Sequence, residues 1–236
     1  MTTTAQVQRL VKPLLARHAD LGMVGRWIFV KPVHHFARGI MLGRTSDPRT
    51  FTLRWAVVHL FEVRRSFPLT WGGYVFDRSS PIPANFDNRP EAEISSVVVA
   101  KIERNALPRL RAMRTFDDCL AFVNRSEFPH KLIDWPSAKV IVDTALGNLD
   151  AARAICNAEV WPADDPAYDE ESRENYRGLR KLCARLATAD RSGLAQLLHE
   201  WETATVKNLK IDHLWESTPF PLELPLKNEG RPGLLS

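Results

Sequence analysis

Between residues 24 and 76, four apolar runs follow one another with only turn-length connections, and this limits the fold more than any other feature of the chain. The runs 24–31, 36–44, 51–63 and 69–76 are rich in β-branched and aromatic residues, as strands are. Pro32-Val33-His34-His35, Thr45-Ser46-Asp47-Pro48-Arg49 and Ser66-Phe67-Pro68 stand between them with turn chemistry. A parallel pair would need a crossover of about a dozen residues, so the expectation is a four-stranded antiparallel meander. In the third run Phe51, Leu53, Trp55, Val57, His59, Phe61 and Val63 alternate onto one face, the core face. Thr52, Arg54, Ala56, Val58, Leu60 and Glu62 lie on the other.

The sheet is flanked by helical patterns. Val7, Leu10, Val11, Leu14, Leu15 and His18 follow the spacing of one helical face over residues 4–20. Thr4 is the expected cap, Gly22 the expected stop and Pro13 an interior oddity. After residue 90 the chain reads as helical throughout. Ile94, Val97, Val98 and Ile102 share a face that continues or kinks near Pro108. Thr115-Phe116-Asp117-Asp118 resembles a capping box with aspartate in the fourth place. The segments 136–145 and 149–159 make a helical hairpin around Gly147, which suits a left-handed helix stop. Within it Leu146-Gly147-Asn148-Leu149-Asp150-Ala151-Ala152 is similar to the turn of a tetratricopeptide unit. It occurs once, without the repeats of a solenoid, and implies only the hairpin.

Residues 169–186 run from Asp169, Glu170 and Glu171 to Arg180, Lys181 and Arg185, the order the helix dipole favours. Asp190 is placed to cap a last helix carrying Leu194, Leu197, Leu198, Trp201 and Ala204. From Ser217 the tail spaces Pro219, Pro221, Pro225 and Pro232 among apolar residues, which favours an extended arm packed on its own chain or on a second subunit. Residues 77–90 form a long polar connection with three prolines, and such loops tend to be functional.

The chain thus reads as α+β: an N-terminal helix and a four-stranded antiparallel meander over 1–125, a mostly helical part over 126–216 packed on it, and a Pro-rich extended tail over 217–236. The glycine turn Leu21-Gly22-Met23-Val24-Gly25-Arg26 and the later Leu107-Pro108-Arg109-Leu110 are similar to features of an uncharacterised family of bacterial domains of unknown function. The resemblance spans residues 1–125. It implies the order helix, antiparallel sheet, helices, and a role near toxin–immunity or phage-defence systems, of which members are suspected without a known active site.

The bulk numbers exclude several classes. No apolar run nears the roughly 20 residues a membrane-spanning helix requires, Trp27–Val30 and the stretches 56–61 and 97–100 being of strand or core-helix length. The opening residues lack the basic and apolar regions of a secretory signal. Cys119, Cys156 and Cys183 are odd in number, far apart and without a C-x-x-C pair, so they read as free core residues of a cytoplasmic protein.

The net charge of +4 hides an asymmetry. Residues 1–115 carry 18 Lys and Arg against 8 Asp and Glu, a balance of +10; residues 116–236 carry 14 against 20, a balance of −6. Fifteen of the first 18 cations are arginine, whose planar fork suits carboxylates and phosphates. Either the two halves attract each other or the arginines reflect a GC-rich genome, or else they make a basic face for an acidic partner.

Catalytic signatures are absent. There is no G-x-S-x-G or S-x-x-K, and Trp71-Gly72-Gly73-Tyr74 lacks the Lys-Ser/Thr of a phosphate loop. Asp117-Asp118 and Asp164-Asp165 fit helix starts or loops. The expected function is therefore that of a non-catalytic bacterial interaction protein, of immunity-protein or adaptor type. It would recognise an acidic protein partner through Arg26, Arg38, Arg44, Arg49 and Arg54, with no cofactor, no metal, no membrane contact, and oligomer formation through the tail. One alternative is an enzyme with dispersed residues, such as a metal-dependent hydrolase built on His34 or His35, His59 and Glu62. Another is a nucleic-acid-binding protein that uses the same arginines with Trp27, Phe29, Phe36, Phe51 and Trp55.

Overall fold

The computed structural model describes residues 3–46, 50–76, 89–125, 127–128 and 131–225. Arg49 and residues 77–88 of the long connection lie outside these. Two units are present, neither continuous in sequence: the first holds residues 1–59, 66–123 and 209–216, the second residues 60–65, 124–208 and 217–236.

The first unit opens with α1 (Thr4–Arg17), which buries Val7, Leu10, Val11 and Leu14. Thr3, one residue ahead of the expected cap, and Gln6 form its capping box, and Pro13 falls on the exposed side. The sheet that follows has five strands, not four, in the order β1 (Leu21–Val24), β2 (Trp27–Val30), β3 (Phe36–Arg44), β4 (Phe51–His59) and β5 (Trp71–Tyr74). Every neighbour pair is antiparallel. The additional strand comes from Leu21–Val24, where a helix stop was expected at Gly22. Gly25 takes a φ of 61° in the two-residue connection Gly25-Arg26, the glycine-first arrangement that folds a strand straight back on itself. One expected strand is thus the second arm of a hairpin.

Register separates the two faces of the sheet. Ile40 pairs with Trp55, Arg38 with Val57 and Phe36 with His59, all on one face. Helices cover that side: the Trp55 ring lies 5.6 Å from Phe122, and Phe36 lies 5.2 Å from Phe116. The opposite face holds the cross-strand row Trp27, Met41, Arg54, Tyr74. Phe67 rests on its first rings, 4.8 Å from Trp27 and 5.1 Å from Phe29.

The helices of this unit are α2 (Glu91–Lys101), α3 (Leu107–Ala112) and α4 (Phe116–Val123). A π-helical turn, Ile102–Ala106, joins α2 to α3 just before Pro108. Proline lacks the amide that would continue the α-helical ladder, and the wider turn accommodates it. Thr115 and Asp118 form the anticipated reciprocal cap. Leu209–Glu216 returns to the sheet unit, where the Val33 amide donates to the Leu214 carbonyl and the Glu216 amide to the Val33 carbonyl.

The second unit contains α5 (Pro136–Leu146), α6 (Leu149–Ala158), α7 (Glu170–Ala187) and α8 (Arg191–Asn208). Gly147, at φ 83°, closes α5 and forms the expected hairpin with α6. Asp169 caps α7 and Asp190 accepts from the Gly193 amide at the start of α8. The described part of the tail packs within this unit. Phe220 is fully buried against Phe61 and His199, and the Leu222 carbonyl accepts from Arg191.

The expectation of three free cysteines is corrected. Cys156 of α6 and Cys183 of α7 form a disulfide, with Cα atoms 5.6 Å apart, and only Cys119 is free and buried. Burial raises the Cys119 thiol to about 12, far from its reactive range. Among the described residues no helix is long and apolar enough to cross a membrane.

Candidate functional site

The four described candidate arginines, Arg26, Arg38, Arg44 and Arg54, do not share one face. Arg38 is 8% exposed and belongs to the interior. Its guanidinium donates to the carbonyls of Met113, Leu110 and Pro32, and burial lowers its pKa. Leu110 and Met113 sit at the C-terminal end of α3, where helix carbonyls lack backbone partners and the dipole favours a cation. Arg38 is therefore a helix-terminating residue, which corrects its assignment to an exposed interaction face. Alternation placed it beside Phe36, Ile40 and Leu42 on the core side.

The other three gather at one end of the sheet. Arg26 lies in the β1–β2 turn, its carbonyl accepting from the Leu42 amide. Arg44 ends β3 opposite Phe51 and is exposed. The two cations are close enough to repel: partial burial first, and then the charge of Arg44, lower the Arg26 pKa. Arg54 emerges on the opposite face of the sheet to Arg44, pairs in register with Met41, and sets its guanidinium 5.2 Å from the centre of the Tyr74 ring. Its Nε is buried without a hydrogen-bond partner among the described residues.

Ion pairs take up some of these charges but leave the asymmetry in place, because most of them join residues of the same stretch. Arg9 pairs with Glu91, Arg17 with Glu103, and Arg111 with both oxygens of Asp20 at 2.8 Å, all inside the first unit. Arg65 pairs with Glu174 inside the second. His18, Asp20, Glu103 and Arg111 form a titratable cluster that the sequence does not single out, because its members are up to 93 positions apart. His18 Nδ1 accepts from Arg111 at 3.0 Å, so Nε2 carries the proton and donates to Glu103 at 2.9 Å. Both ring nitrogens are occupied, and neither is presented to a substrate. The cluster ties the end of α1 to the π-helical turn and α3.

The histidines of the enzyme alternative are dispersed into separate roles. His34 Nδ1 contacts the Glu216 carbonyl at 3.1 Å, His35 is buried with its ring on Phe116, and His59 is buried with its ring 5.6 Å from Trp71. Among the described residues no group of three or more His, Cys, Asp or Glu side chains is placed to hold a metal ion.

Neither a known protein family, nor a curated protein, nor a solved structure matches the chain.

Proposed function

We propose that this chain is a non-catalytic binding protein, of immunity-protein or adaptor type, that takes an acidic protein partner at the end of the sheet where Arg26 and Arg44 meet. The observation that carries this reading is the placement of the two arginines: the Arg26 carbonyl accepts from the Leu42 amide, which sets the β1–β2 turn beside the end of β3 where Arg44 is exposed. Two like charges at one end of a sheet favour a carboxylate-bearing partner.

Titration with polyglutamate tests the proposal. The wild-type chain binds at low ionic strength and loses affinity steeply with salt. The double variant Arg26→Glu, Arg44→Glu weakens binding by about tenfold or more at an unchanged melting temperature. Failure to bind polyglutamate at low salt, or equal binding by the double variant, overturns it.

One observation favours a second reading. The row Trp27, Met41, Arg54, Tyr74 places rings and a cation on one surface, and Tyr74 is 45% exposed. Single-stranded nucleic acid is bound by surfaces of this composition. An oligothymidylate that binds more tightly than polyglutamate, and is lost on Tyr74→Ala, would replace the first reading by the second.

A further inference from the structure

In the second unit a groove of about 700 Å³ lies along α7 and α8, within the range of roughly 300–1,000 Å³ typical of small-molecule sites. Its floor is apolar, made by Trp201, Leu197, Leu179, Ile141 and Val63. Gly178 lines it. A Cβ at that position would stand 3.3 Å from Trp201 Cζ2, so α7 meets the indole edge with bare backbone. A glycine inside a helix costs about 1 kcal/mol relative to alanine, and here it lets α7 pack closely on the ring edge.

The rim carries six charged side chains, and five already have contacts. Glu62 is paired with Arg64, Glu174 with Arg65 at 2.7 Å and Arg177 with Glu170 at 2.9 Å. Arg185 donates to the Gly193 carbonyl, and the Glu200 carboxylate accepts from the Gln196 amide at 2.8 Å. Lys181 alone of the six has no hydrogen-bond or ion-pair partner among the described residues. With Arg64, Arg65, Glu170 and the second partner of Glu170, Arg173, counted, the rim is net positive, and Lys181 is its one cation without a partner among the described residues. The complement of such a groove is an apolar body that ends in one negative charge.

We propose that this groove binds a small amphiphilic carboxylate, its apolar part lying on Trp201 and its carboxylate on Lys181 Nζ. The inference is independent of the sheet-end interface, since it uses different residues in a different unit.

Calorimetric titration of the full chain with decanoate, decanol and decylamine, each below its aggregation concentration, tests it. Decanoate is expected to bind with one-to-one stoichiometry, about five- to tenfold more tightly than decanol, and decylamine more weakly than either. Lys181→Gln, a change at an exposed position, brings decanoate down to the affinity of decanol. Gly178→Leu wedges a side chain between α7 and the Trp201 edge, distorts the wall of the groove and removes binding of both. Because this second change alters a helix contact, Lys181→Gln is the deciding variant. Absence of saturable decanoate binding, equal affinity for decanoate and decanol, or full decanoate affinity in Lys181→Gln overturns the proposal.

Discussion

Arg38 donates from Nη2 to the carbonyl of Pro32 at 3.2 Å, joining a central strand to the turn that precedes it while its other nitrogen serves the end of α3. A guanidinium held this way satisfies backbone oxygens that would otherwise be buried without donors. Arg38→Met keeps the aliphatic stem and removes the donors. The expected loss is about 2–4 kcal/mol, read as a lower urea midpoint with an unchanged slope. Arg38→Glu sets a carboxylate against those carbonyls and prevents folding, so it cannot report on partner binding.

The cysteines make a second prediction. Denatured without reductant, the protein should titrate one thiol, Cys119, and after reduction three. In the folded state Cys119 should resist thiol reagents at pH 8, since burial holds its thiol at about 12. Cys156 and Cys183 are 27 positions apart, and closing a loop of that length stabilises by about 3–4 kcal/mol in the chain-entropy account. Cys156→Ser should lower the melting temperature accordingly. Three thiols in the unreduced protein would show that the bond does not form.

Arg38 was legible in the sequence in principle, because alternation over 36–44 puts it on the same side as Phe36, Ile40 and Leu42. Charges are usually exposed, which hides Arg38 from a composition-based reading, although the end of a helix can supply partners. The fifth strand was also legible, since Val24-Gly25-Arg26-Trp27 is a glycine-first turn between apolar residues; the helical spacing of α1 masked it by extending to His18. The disulfide was not legible, because pairing depends on how α6 and α7 pack, which neither spacing nor cysteine count encodes. The ion pairs were hidden for the same reason: Asp20 and Arg111 are 91 residues apart and meet only in the fold.

The turn that creates the fifth strand supplies a third prediction. Gly25 has a φ of 61°, and a Cβ added there would meet nothing within 4 Å. The cost of substitution is therefore backbone strain alone. Gly25→Val should destabilise by about 1–2 kcal/mol, whereas Gly25→Asn, which tolerates that conformation, should cost less. Equal stability of the two variants would argue against the hairpin.

Acidification should weaken the first unit. The Arg111 fork holds the Asp20 carboxyl below the usual carboxylate range, and Arg9 does the same for Glu91. Backbone donors from Thr115 and Arg114 lower Asp118. A carboxyl lowered in the folded state contributes stability above its unfolded pKa, about 4, and loses it as pH falls through the folded value. The urea midpoint should thus hold from pH 7 to about pH 5 and fall below pH 4. Asp20→Asn should be less stable than wild type at pH 7 and lose less between pH 7 and pH 3. The Asp20–Arg111 pair is partly open to solvent, so added salt should shrink the difference.

The tail can be tested by the concentration dependence of melting. Phe220 has no exposed surface and meets Phe61 edge-on at 5.5 Å, while the ring of His199 lies 4.8 Å away. Glu223 folds back to accept from the Phe220 amide at 2.7 Å and contacts His199 Nε2 at 2.8 Å. Removing the ring in Phe220→Ala should cost about 3–4 kcal/mol, and deletion from residue 217 onward should cost at least as much. An intramolecular clasp makes the wild-type melting temperature independent of protein concentration. A melting temperature that rises with concentration in the wild type, and stops rising in Phe220→Ala, would mean that the arm is exchanged between copies in solution.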